Sequence, residues 1–121
     1  MKVILASSSK FRKQLLNKLN ISFKCISPDI DEKRLNNESV RDYVKRLSIE
    51  KASKIACSNH KSIIIGSDEV ADLKGKIIGK PITKKNAKKQ LKMLSGHKVV
   101  FRTGLCVLNS ETGKYYASVN N

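Results

Sequence analysis

Hydrophobic positions change their period several times along this chain. Val3-Ile4-Leu5-Ala6 is a short apolar run, and it predicts a first strand over Lys2 to Ala6. After Ser7-Ser8-Ser9 the period lengthens. Leu15, Leu16 and Leu19 share one helical face, with Ser9 as N-cap and Asn20 as the stop. Ile21 to Ile26 alternates and predicts a second strand, and Pro28 to Asn37 reads as a polar loop. Ser39-Val40-Arg41-Asp42 has the spacing of a capping box, with Asp where Glu or Gln is usual. A helix is expected from there to Cys57, with Val40, Val44, Leu47 and Ile55 as its apolar stripe. Ile63-Ile64-Ile65 suits a strand buried on both faces, with a break expected at Gly66-Ser67. Val70 to Leu73 and Lys76 to Ile78 predict a hairpin turning near Lys74-Gly75. Thr83 is expected to cap a helix over Lys84 to Leu94, stopped by Ser95-Gly96. His97 to Leu108 predicts a strand interrupted at Thr103-Gly104, and Lys114 to Val119 a strand returning after a turn. Alternating strands and helices that end in an antiparallel pair indicate an α/β or α+β fold, a mixed sheet with flanking helices.

Composition narrows the class. The 121 residues suit one domain, 1–121, with neither a repeat nor a linker. A hydrophobic content of 40% indicates a globular chain. No run approaches the about 18 apolar residues of a membrane span, and MKVILASSS is too short in its apolar part for a secretory signal. A cytoplasmic protein without membrane contact is expected. Cys25, Cys57 and Cys106 form no CxxC pair, and His60 and His97 have no ligand spacing, so reduced thiols and no transition-metal site are expected. The net charge of +15 invites a nucleic-acid reading. The lysines spread along the chain and aromatics do not interleave with them, so no stacking platform is visible and nucleic acid is disfavoured.

Four places carry candidate chemistry. Asp68 and Glu69 follow the isoleucine run, where open α/β sheets put their ligands, and Lys80 between Gly79 and Pro81 could return to the same pocket. The plain alternative is a turn acid and a solvated lysine. The serines before the first helix, with Arg12 and Lys13 in its first turn, fit an anion site. Basic side chains oppose the helix dipole there and need another reason to be present, of which a bound phosphate is one. A simple serine cap is equally consistent. Asp31-Glu32 could hold magnesium, or could be solvated acids. Lys51 falls inside the apolar stripe of the second helix, either snorkelling to water or pointing into an anionic pocket.

Taken in order, these segments resemble the Maf family of nucleoside triphosphate pyrophosphatases. The opening Leu-Ala-Ser-x-Ser-Pro-x-Arg pattern reads Leu5-Ala6-Ser7-Ser8-Ser9-Lys10-Phe11-Arg12 here, with Lys10 for proline, followed by Leu15-Leu16. The Asp-Glu pair matches Asp31-Glu32, and Arg-Leu-x-x-Glu-Lys-Ala matches Arg46 to Ala52. Gly66-Ser67-Asp68, Gly79-Lys80-Pro81, Leu94-Ser95-Gly96 and Thr103-Gly104 complete the series. The resemblance implies a Maf/inosine-triphosphatase-like architecture. It also implies hydrolysis of a nucleotide to the monophosphate and pyrophosphate. Asp68 would be the base, with Glu32 and Asp68 holding a divalent cation, magnesium by expectation. Ser7, Arg12, Lys51 and Lys80 would bind the triphosphate, and a homodimer would follow the habit of family members. The 7-methyl-GTP pyrophosphatase branch is the nearest in pattern, since it has an aromatic at Phe11 and Gly-Ser-Asp-Gln-Val where this chain has Gly66 to Val70. Phe11 and Glu69, the latter replacing Gln, would then set base specificity. Family members are about half as long again, so the domain is expected to lack its C-terminal portion. The alternatives are a catalytically incomplete remnant of the family and a basic nucleic-acid-binding module.

Overall fold

The first strand, β1 (Lys2–Ala6), forms where the opening apolar run predicts it. Ser9 caps helix α1 (Lys10–Asn17), accepting a hydrogen bond from the Arg12 amide. Asn20 then takes a left-handed conformation, φ 56°, which turns the chain. This computed structural model describes residues 2–78 and 99–121. The Gly79-Lys80-Pro81 segment, the expected helix over 84–94, Leu94-Ser95-Gly96 and His97 lie outside the described residues.

The second strand is much shorter than the alternation over Ile21 to Ile26 suggests. Strand β2 is only Lys24–Cys25, parallel to Ile4 and Leu5 of β1. Ile21 remains 44% exposed, so its place in the pattern finds no sheet face to bury it. Helix α2 (Val40–Ala56) is capped by Ser39 and buries Val40, Tyr43, Val44, Leu47, Ala52 and Ile55. It lies against β3 (Ser62–Leu73) and β5 (Val100–Asn109), the two long central strands.

Both central strands run unbroken through the places where breaks are expected. β3 continues through Gly66-Ser67, and β5 through Thr103-Gly104. The two pair antiparallel residue for residue from Ile63↔Asn109 to Asp72↔Val100. A continuous ladder satisfies the backbone on both sides of each glycine, so the glycines cause no break. Their role is close packing. A Cβ on Gly66 would stand 2.2 Å from the Ser48 carbonyl oxygen, and one on Gly104 2.2 Å from that of Val44. Both obstacles are backbone of α2, so only glycine allows the helix to come this near.

Strands β4 (Lys76–Ile78) and β6 (Tyr115–Asn120) complete a mixed sheet in the order β2-β1-β3-β5-β6, with β4 hairpinned onto β3. The core lies between this sheet and α2, with Ile4, Ala6, Ile64, Cys106 and Leu108 meeting Ala52 and Ile55. The opposite sheet face carries Phe101, Val107 and Tyr116, all exposed. Among the described residues no helix is long and apolar enough to cross a membrane.

Candidate functional site

β1 pairs with β3 in parallel as far as Ala6↔Gly66, and β4 pairs with the same edge from Ala71 onward. Between them, among the described residues, Ser67 to Val70 pair with β5 alone. Asp68 therefore lies in mid-strand, not at a strand end as its position after the isoleucine run suggests. It is still at a sheet opening, because its neighbour strand ends beside it. Successive residues of a strand face opposite ways. Gly66 and Asp68 face α2, and Glu69 faces away.

Lys51, the lysine inside the apolar stripe of α2, reaches this opening. Its ammonium donates to Asp68 Oδ1 at 2.8 Å and to the Ser67 carbonyl at 3.4 Å, and stands 3.2 Å from Glu32 Oε1. Its side chain is 12% exposed and that of Asp68 11%. Of the two readings of Lys51, the anionic pocket is the one observed, and here the anions are carboxylates. Asp68 Oδ2 is shielded from solvent and has no hydrogen-bond partner among the described residues. Such an atom is unfavourable unless something binds it.

Glu32 arrives from a loop without regular structure, the stretch between β2 and α2. That loop is held by three residues outside the motif-derived site set, Tyr43, Arg46 and Glu38. The Tyr43 hydroxyl donates to the Glu32 carbonyl. Arg46 Nη2 donates to the Lys33 carbonyl at 3.0 Å. The same guanidinium forks onto Glu38, Nε to Oε2 at 2.7 Å and Nη2 to Oε1 at 2.9 Å, and reaches Glu50 at 3.1 Å. The Arg46 guanidinium holds the Glu38 carboxyl below its ordinary range. Burial, helped by the Asp68 and Glu32 charges, pushes the Tyr43 phenol up and keeps it a donor. The Arg46–Glu50 pair is an i,i+4 pattern and could be read from sequence. The pairing of Arg46 with Glu38 could not.

The Ser7 corner is a separate cluster. Ser7 Oγ accepts from the Ser9 amide at 3.0 Å and from Arg12 Nη1 at 3.4 Å. Ser7 directly follows Ala6, the partner of Gly66, so its backbone enters about one strand spacing, ~5 Å, from that of β3. The two clusters thus share one end of the sheet. Among the described residues no hydrogen bond or ion pair joins Ser7 or Arg12 to Asp68 or Lys51. Phe11 is 67% exposed on α1, and Glu69 is exposed on the other sheet face, where Oε2 accepts from Thr103 Oγ1 at 2.9 Å. Neither Phe11 nor Glu69 contacts the Asp68 group through a hydrogen bond or ion pair. Lys80 lies outside the described residues. A further pair, Arg102 Nε to Asp72 Oδ2 at 2.7 Å, braces the β3–β5 ladder and holds the Asp72 carboxyl below its ordinary range.

Two carboxylates facing one cation, with a free buried oxygen, form a hard-oxygen set. Among the described residues no group of three or more His, Cys, Asp or Glu gathers as a complete metal cage. A set of two fits magnesium, which takes few carboxylates and completes its shell with water and phosphate oxygens.

The sequence profile of the Maf-like protein family matches residues 2–121. A 7-methyl-GTP pyrophosphatase of Pseudomonas fluorescens is 51% identical over 111 residues, which is 92% of this chain and 58% of that protein. Another, from Pseudoalteromonas translucida, is 52% identical over 114 residues, 93% of this chain and 55% of that protein. The chain thus spans less than three fifths of the length of these relatives. Among solved structures, the Staphylococcus aureus Ham1 protein superposes with a TM-score of 0.62 at 14% identity, over 98% of this chain and 68% of that one. At that identity the likeness concerns the fold alone.

Proposed function

This chain belongs to the Maf family, and on that premise we propose that it carries the reaction centre of a nucleoside triphosphate pyrophosphatase. The substrate class is a nucleotide of the 7-methyl-GTP kind, by its kinship to proteins so named. The observation that carries this reading is the Lys51 ammonium holding the Asp68 and Glu32 carboxylates together at the open edge of β3.

In this reading Asp68 takes a proton from a water as that water attacks the α-phosphorus. The bond from the α-phosphorus to the α–β bridging oxygen breaks, and pyrophosphate leaves with the electron pair. Asp68 Oδ2 is the acceptor, since Oδ1 is engaged by Lys51. The Lys51 charge keeps the carboxylate group in place, and it can turn to a phosphate oxygen when a polyanion enters. Ser7, Arg12 and the α1 N-terminus offer donors to the same tail. Positioned cations of this kind are most of what such a transfer asks of a protein. Glu32 and Asp68 would hold magnesium, which when bound offsets charge on the phosphates.

The test measures pyrophosphate released from 7-methyl-GTP, GTP and the other triphosphates by this chain and by Asp68→Asn. The expected result is release with the parent chain and a loss of about 10²–10⁴-fold in the variant, the usual contribution of a general base. Undiminished turnover in the variant removes Asp68 from the role. No turnover of any triphosphate by the parent chain overturns the reading for this chain.

A further inference from the structure

Glu32 is 56% exposed and sits in a loop, yet it meets Lys51 at 3.2 Å. Its carboxylate makes no other hydrogen bond or ion pair among the described residues. Its position is therefore set by its backbone, and that backbone is gripped at two consecutive peptides. Tyr43 holds the Glu32 carbonyl, and Arg46 holds the Lys33 carbonyl. Both gripping side chains come from α2, the helix that also presents Lys51.

We infer that Tyr43 and Arg46, braced by Glu38, are positioning residues that hold Glu32 where it can share a cation with Asp68. This rests on the metal-dependent reading above and extends it to residues that touch neither metal nor substrate.

The clasp has the features such a role requires. Arg46 is fixed before it reaches the loop, because its fork is matched to Glu38 and its third arm to Glu50. Its guanidinium carbon lies 5.7 Å from the centre of the Tyr43 ring, so the two grips support one another. Glu38 closes the far end of the loop, accepting from the Leu35 amide at 3.1 Å. Arg34 ties the Glu38 carbonyl, at 2.9 Å, to the β3–β4 turn at the Gly75 carbonyl, at 3.0 Å. The loop is thus anchored to the helix beneath and to the hairpin beside it, and the acid-bearing peptide lies between the anchors. Lysine at position 46 would keep the charge and lose the fork. Phenylalanine at 43 would remove a single hydroxyl.

The experiment is a titration of the 121-residue chain with Mn²⁺ alone, followed by electron paramagnetic resonance, at a temperature where circular dichroism shows every variant folded. Glu32→Gln is expected to lose Mn²⁺ affinity. Tyr43→Phe and Arg46→Lys are each expected to weaken it by about tenfold, the low end for residues behind a metal ligand. Glu50→Gln, which removes an Arg46 partner without touching the loop, is expected to leave it near the parent value. A merely structural clasp would lower the melting temperature and leave Mn²⁺ affinity unchanged. That result in Tyr43→Phe and Arg46→Lys, with Glu32→Gln impaired, overturns the inference while the metal reading stands. If Arg46→Lys fails to fold, Tyr43→Phe decides alone. If Glu32→Gln binds Mn²⁺ as well as the parent, or the parent binds none, the metal reading falls and the positioning role with it.

Discussion

The two helices among the described residues each carry an apolar face and meet opposite fates. α2 buries a full stripe against β3 and β5 and delivers Lys51 to Asp68. α1 buries no residue, and Phe11 and Leu15 on it and Leu19 just beyond its end stay exposed. The difference lies in what each faces. Gly66 and Gly104 sit on adjacent strands and open a trough into which the α2 backbone settles. A pattern of leucines makes a helix able to pack, and a matching surface decides whether it does.

The glycine trough is where this contrast breaks most easily. Gly66→Ala and Gly104→Ala would each drive a methyl into helix backbone that cannot rotate away. Each is expected to destabilise the fold by about 3 kcal/mol or more, at the upper end of overpacking, read by urea unfolding. A shift near zero in either would show that α2 can lift off the sheet without penalty.

Acid should separate the two regions next. The α2 side depends on Glu38 and Asp72, whose carboxyls are held below the ordinary carboxylate range because Arg46 and Arg102 donate to them. The unfolded chain takes up protons first as pH falls. The stability they contribute is therefore complete above the ordinary carboxylate range and is lost as pH drops through the lower folded values. The α1 corner uses serine and arginine, with no acid in the helix's first turn. Melting temperature should fall steeply below about pH 4, and Glu38→Gln should flatten that limb while lowering the plateau. An unchanged acid limb in this variant would remove Glu38 from the account.

The smallest effect is expected on α1 and the turn that follows it. Leu15→Gln and Leu19→Gln should change stability by no more than about 0.5 kcal/mol, as for exposed positions elsewhere. A much larger loss would mean that this face is covered in the folded protein.

Much of the path to the site was legible in the sequence. Strand β1, the Ser9 and Ser39 caps, the span of α2 and the anomaly of Lys51 all follow from local pattern, because caps and periodicity act within one or two turns. The family resemblance named Asp68 and Glu32 through ordered motifs. The clasp was not legible, because Arg46 and Glu38 are joined only when the loop folds back over the helix, and nothing local records that return. Nor was the uninterrupted course of β3, since Gly66-Ser67 looks like a break until β5 is laid beside it.

The sequence by itself therefore determined where β1, α1 and α2 lie, and which side chains could carry chemistry. Only the tertiary structure decided their company. It placed Asp68 and Glu69 on opposite faces, gave Lys51 two carboxylates in place of solvent, and left α1 uncovered. The physical reason is range. Propensity and capping are settled between near neighbours in sequence, whereas a charge's partner and a face's burial depend on residues far along the chain that meet only after it has packed.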